Sequence, residues 1–135
     1  MAAEVAIIEL LGKVPGCPIR YTCAASAIPK GTVMKVTDPR VVAAHGGANQ
    51  PIVGISAEQT TVASGVTNIS VYTNGIFDIT AAAAGATTVG AICCGSATAN
   101  MFTAAAGGNL LNGSVIGQCL EEAANDERVA VRVLK

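Results

Sequence analysis

The sequence predicts an all-β fold, a small β-sandwich or barrel with an extended N-terminal arm, and three observations carry that expectation. Residues 51–80, PIVGISAEQTTVASGVTNISVYTNGIFDIT, run strand, loop, strand, Gly turn, strand with almost no charge. Near the C-terminus Val129, Val131 and Val133 alternate with Ala130, Arg132 and Leu134, the period-2 pattern of a half-buried strand. Hydrophobic residues make up 51% of the 135, yet aromatics are 3% and Trp is absent, so the apolar content is mostly small and the core must be thin. Short inward side chains suit a sandwich or barrel of modest size. A chain of this length fits one domain, divided here into an arm over 1–16 and a single β domain over 17–135.

The arm carries the apolar run VAIIELLG and is closed by Val14-Pro15-Gly16. Pro15 and Pro18 disfavour helix at the residues before them. A short helix with Glu4, Ile8 and Leu11 on one face stays open, but the extended reading is preferred. Val5, Ile7, Ile8, Leu10 and Leu11 are then too many apolar side chains for a free tail in water. They are the candidate partner-binding residues, because an extended segment adds as a strand to a neighbour's open edge. The alternative is an edge strand folded back on its own barrel. Strands are expected next at 19–23, 32–36, 52–56, 68–73, 76–80, 91–94, 100–103, 115–120 and 128–134, with turn residues between nearly all of them. Asn74-Gly75 reads as a two-residue hairpin turn that sets Tyr72 opposite Phe77, against a bulge in one long bent strand. Residues 41–50, VVAAHGGANQ, read as an exposed flexible connection. The Ala-rich runs 81–85 and 104–108 are too short for stable helices and read as loops or single turns.

Composition also narrows function. Eight basic residues are scattered from Lys13 to Lys135, so no basic stripe points to nucleic acid. The apolar run at the start is broken by Glu9 and ended by Gly12-Lys13, too short to span a bilayer as a helix. It also lacks the basic region and cleavage site of a secretory signal, which reads as a cytoplasmically made protein. Cys17, Cys23, Cys93, Cys94 and Cys119 form no CxxC pair and no zinc spacing. They read as small buried hydrophobes, with a Cys17–Cys23 disulfide left open. His45 has no nucleophile or carboxylate motif beside it. Glu121 and Glu122 read as part of a solvated loop. No phosphate-cradling, zinc-hydrolase or nucleophile-elbow motif occurs. No catalytic, metal or cofactor-binding residue is therefore assigned. Charged residues are 13%, with a net charge of -1, against about 25% in ordinary globular proteins. So little charge on so thin a core implies a surface covered by neighbours, and a homo-oligomer, dimer or trimer.

IRYTCAASAIPKGTVMKV at 19–36, PIVGISAEQ at 51–59, VYTNGIFDIT at 71–80, VGAI at 89–92, and VIGQCLEEA with VAVRVL near the end together resemble a family of small phage proteins encoded beside the major capsid protein, some of which are head decoration or cement proteins. The resemblance covers roughly 17–134. It implies an all-β protein on the outside of an icosahedral shell, stabilising it, with the major capsid protein as partner and no catalytic residues. The chain departs from that pattern in a longer loop around His45 and in its apolar arm. Two rivals differ in kind: another structural virion protein, such as a tail-tube or fibre component, and a small enzyme or ligand module using His45, Asp78 and Cys94.

Overall fold

The computed structural model describes residues 6–9, 18–83 and 85–134. Among them, β2 (Ile19–Cys23), β3 (Val33–Asp38), β4 (Val41–Ala44), β5 (Ile52–Ser56) and β6 (Asn68–Tyr72) close into a barrel in the order β2-β4-β3-β5-β6. A second barrel follows directly. Its strands are β7 (Asn74–Ala81), β8 (Ile92–Gly95), β9 (Met101–Ala104), β10 (Val115–Cys119) and β11 (Arg128–Leu134), in the order β7-β11-β10-β8-β9, with β9 returning to β7. Before both, β1 (Ala6–Glu9) lies antiparallel to the middle of β7, from Ile76 to Asp78. A five-residue helix, α1 (Gly107–Leu111), joins β9 to β10. The protein is therefore all-β, and its β body holds two closed barrels. No helix among the described residues is long and apolar enough to cross a membrane.

The second barrel repeats the first strand for strand. In each, the first strand runs parallel to the third, β2 with β4 and β7 with β9, while every other ladder is antiparallel. The registers agree residue by residue. Thr22 stands opposite Val41 as Thr80 stands opposite Met101, Met34 opposite Gly54 as Cys93 opposite Gly117, and Ile55 opposite Tyr72 as Gln118 opposite Arg132. Even the irregularity is shared, a shift between Met34 and Lys35 in one barrel and between Val115 and Gly117 in the other. Turn geometry follows suit: Gly31 and Gly90 have φ of 83° and 81°, and Arg40 and Asn100 both have φ of 58°. A positive φ is cheap for Gly and tolerable for Asn.

Period-2 alternation divides the side chains between two cores. Met34, Val42, Val53, Ile69 and Val71 fill the first barrel. Phe77, Ile79, Phe102, Ile116, Val131 and Val133 fill the second, which holds both phenylalanines of the chain. Val33, Ile52 and Ile55 belong to strands of the first barrel but pack into the core of the second. They lie on the face of β3 and β5 opposite to Met34 and Val53, so the outside of one barrel is the inside wall of the joint. Two backbone N–H groups fix it: Val33 N–H donates to the Asn100 side-chain Oδ1 at 2.8 Å and Ile52 N–H to the Gly113 carbonyl at 2.9 Å.

Three expectations change. Asn74-Gly75 is not a hairpin turn: β6 pairs with β2 and β5, β7 with β11, β9 and β1, and the chain passes from barrel to barrel at this dipeptide. Gly75, at φ 144°, sits in the β7 ladder opposite Val133. Tyr72 and Phe77 do meet, with ring centroids 6.2 Å apart and planes at 45°, but across the joint. The segment read as a loose connection begins with a strand, β4, held on both edges by β2 and β3. The Ala-rich run near 104–108 leads into α1, a single turn that buries none of its residues.

Gly54 and Gly117 occupy equivalent places, and a Cβ on either would run into the carbonyl oxygen of Tyr72 or Arg132 on the adjacent strand. Gly54→Ala and Gly117→Ala should each destabilise the protein by roughly 2 kcal/mol or more through forced strand separation. Gly46→Ala, with nothing within 4 Å of the added atom, serves as the neutral comparison. Thermal melts of the three variants check this, and melting points for Gly54→Ala and Gly117→Ala matching that of Gly46→Ala would refute the close approach.

Candidate functional site

His45 ends up at the centre of the joint. Its N–H donates to the Val33 carbonyl at 2.8 Å, and the side chain is only 2% exposed. The imidazole lies against Gly95, where a Cβ would come within 2.7 Å of Nε2 and 3.3 Å of Ile52 Cδ1. Only glycine there lets the ring in. Neither ring nitrogen has a hydrogen-bond partner of good geometry. Burial pushes the pKa of His45 down, and Lys35 adds to this, while the nearby backbone of Gly47 and Ser96 offsets it in part. The exposed-loop reading of His45 is therefore corrected. The loop itself is pinned, since Gly46 and Gly47 N–H both donate to Gln50 Oε1 at 3.1 Å.

The other residues considered for chemistry are dispersed. Asp78 lies in β7, its backbone paired with Ala6 and Ala130. No hydrogen bond joins it to His45 or Cys94. Cys93 points into the second core and donates to the Gly117 carbonyl at 3.4 Å, while Cys94 faces the other way and donates to the Ala104 carbonyl at 3.8 Å. Cys119 contacts Thr87 Oγ1 at 3.2 Å. Cys23, Cys93, Cys94 and Cys119 are buried free thiols. Burial raises the pKa of Cys23 and of Cys94, and the hydrogen bond with Cys119 followed by burial raises that of Cys93. Cys17 lies outside the described residues. Glu121 and Glu127 act as local caps, accepting from Ala130 N–H at 3.1 Å and Ala124 N–H at 2.7 Å. No group of acids, histidines and cysteines that could hold a metal forms among the described residues.

What the molecule presents instead is surface. The second barrel carries an open apolar groove of about 520 Å³ lined by Ile92, Ala105, Ala106, Gly107, Leu110 and Val115. Ile92 is 50% exposed, Leu110 76% and Leu111 90%. Contiguous apolar exposure of this kind marks an interaction site more often than a scattered residue does. Of the candidate arm residues, Ile7 and Ile8 lie in β1, whose backbone pairs with β7 of the same chain. Val5, Leu10 and Leu11 lie outside the described residues. The groove had no counterpart in the sequence reading, since its apolar positions are spread over three segments that only the barrel brings together.

A molecule made of interlocked barrels, with its one histidine and four of its thiols built into packing and an apolar groove outside, is arranged for contact. Over residues 14–134 the sequence matches the phage cement protein family. The chain belongs to that family. No curated protein matches it. As a phage cement protein it is a structural component of the virion that decorates the capsid surface and stabilises it. The match runs through the His45 loop, which forms part of the joint, and begins at residue 14, after the added strand β1.

The buried His45 gives the cement protein a stability that depends on pH. Its folded pKa lies below the ordinary 6.5, so the unfolded chain binds the proton first. The stabilisation is complete above pH 6.5 and is lost as pH falls below it. Denaturant melts between pH 7.5 and 5.5 should show stability falling by at most about 1.4 kcal/mol per pH unit, the limit for one proton. His45→Gln should flatten that slope, and an unaltered slope in the variant would assign it elsewhere. A thiol-reagent titration should label no more than one cysteine per native chain and all five after unfolding. Rapid labelling of several native thiols would contradict their burial.

Proposed function

We propose that this cement protein binds the major capsid protein itself, on the outer face of the head, as a homo-oligomer without catalytic activity, and that it engages neither nucleic acid nor membrane. The observation that carries this is the fate of its reactive groups. His45 serves as packing at the joint, Cys23, Cys93 and Cys119 fill barrel interiors, and Cys94 is buried outside them. Low charge and apolar exposure support contact with protein surfaces over polyanions. Cementing then works by bridging. One oligomer touching several shell subunits must release every contact before any two of them part, so many weak contacts add up to a high barrier.

The N-terminal arm is proposed to take part in these contacts through Val5, Ile7, Ile8, Leu10 and Leu11. Support comes from the position of β1 as the outermost strand of its sheet, an edge that a partner's strand can extend. Deleting residues 2–14 should leave a folded β protein by circular dichroism that no longer sediments with heads assembled from major capsid protein alone. The full chain should co-sediment and raise the temperature at which those heads disrupt. A deletion that unfolds the body, or one that still binds, would dismiss the arm. A full chain that ignores such heads would dismiss the partner.

A further inference from the structure

The internal repeat gives the exposed groove a counterpart whose covering is known. Equivalent registers place Ile92 where the first barrel has Val33, Val115 where it has Ile52, and Ala105 where it has His45. In the first barrel those three positions are the joint face, 0%, 4% and 2% exposed and covered by the second barrel. In the second barrel the same face is the groove. We propose that the groove is covered by the first barrel of another copy of this chain, so that copies join head to tail and continue the contact that already links the two barrels within one chain. The proposal rests on the oligomer suggested above and supplies its interface.

The residues that would meet there fit in size and polarity. Within the chain, the joint pairs His45 with Gly95, a large ring against no side chain. The equivalent residues in the proposed contact are Ala105 on the groove and Val36 on the neighbouring first barrel, so the small partner and the larger one change sides. Val36 is half-buried at the corresponding end of its barrel, where Ile19, the equivalent of Phe77, is 43% exposed and Arg40, the equivalent of Asn100, is also exposed. Around the groove, Gln118 and Arg132 replace the Ile55 and Tyr72 of the internal joint. A permanent joint can be apolar throughout, whereas one that forms between separately folded copies keeps an apolar centre with a polar rim. The contact uses two different surfaces, so it is heterologous and closes into a ring when the rotation between copies allows.

The experiment uses the full chain carrying Cys17→Ser, as the parent protein and with Val36→Cys, Ala105→Cys and both together, treated with a short bis-maleimide and read on denaturing gels, beside light scattering of the untreated protein. The double variant should give a ladder of covalent multimers whose highest rung is the number of copies in the ring, while neither single variant nor the parent protein crosslinks. Adding Ile92→Asp, an exposed change that leaves the circular dichroism unaltered, should abolish the ladder and reduce the particle to a monomer. A crosslink in either single variant shows a twofold contact and overturns the head-to-tail arrangement. An oligomer by light scattering whose double variant gives no ladder overturns this interface and leaves the oligomer standing. A monomer that gives no ladder overturns both.

Discussion

The second barrel is not complete without the first, and the rest of the structure follows from that constraint. A chain rich in Ala and Val cannot fill two separate cores with large side chains, and a five-stranded barrel has room for few residues inside. The solution is to let Val33, Ile52 and Ile55 face outward from the first barrel into the second, so the wall of one barrel supplies core residues to the other. Burying an aliphatic side chain of this size contributes roughly 1.5–3 kcal/mol, and three such residues fully buried at the joint outweigh any single polar contact there. The hydrogen bonds from Val33 to Asn100 and from Ile52 to Gly113 then set orientation more than they add stability, since an amide hydrogen bond is worth about 1 kcal/mol net.

That joint explains why small residues sit where they do. Gly95 exists in its position because the imidazole of His45 occupies the space, and Gly54 and Gly117 because the neighbouring strand's carbonyl does. The last two are equivalent in the repeat, so their requirement comes from the barrel itself. Gly95 has no glycine counterpart, since Val36 stands in its place, so its requirement comes from the joint. The repeat thus separates residues that serve the barrel from residues that serve the contact between barrels. The same comparison marks Cys119, which stands where the first barrel has Ser56: both touch a neighbouring loop, Ser56 through hydrogen bonds to Thr32 N–H and the Pro29 carbonyl, Cys119 through Thr87.

The strands were largely legible because each is a short apolar run between turn residues. β2, β5 and β11 begin and end where their patterns do. β4 was not, because Val41-Val42-Ala43-Ala44 runs without punctuation into His45-Gly46-Gly47 and only its partners on both sides make it a strand. Asn74-Gly75 misled for a related reason: a turn signal is local, whereas the partner of each flanking strand is chosen by register with distant residues. The repeat stayed hidden because barrels constrain direction and size more than identity, so Met34 answers to Cys93 and Tyr72 to Arg132. The pair PIVGIS and SVIGQC, each holding the same obligatory glycine before a shared register, was its readable trace. His45 and the groove were the least legible, since what buries the one and what assembles the other come from remote parts of the chain.

Repetition with one altered face is also a way to build a cement protein. If both copies of the barrel carried the same outward face, the chain would either aggregate through two identical apolar surfaces or have none to offer. Here the first barrel's face is satisfied internally and the second's remains, thinned from His45 to Ala105 and edged with Gln118 and Arg132 in place of Ile55 and Tyr72. Those exchanges lower the apolar area of the face without removing its centre at Ile92 and Val115. In the contact proposed above, the smaller apolar centre keeps affinity per contact modest, which would let each copy find its place reversibly before the sum of contacts holds it, where a strong single contact would fix misplaced copies as firmly as correct ones.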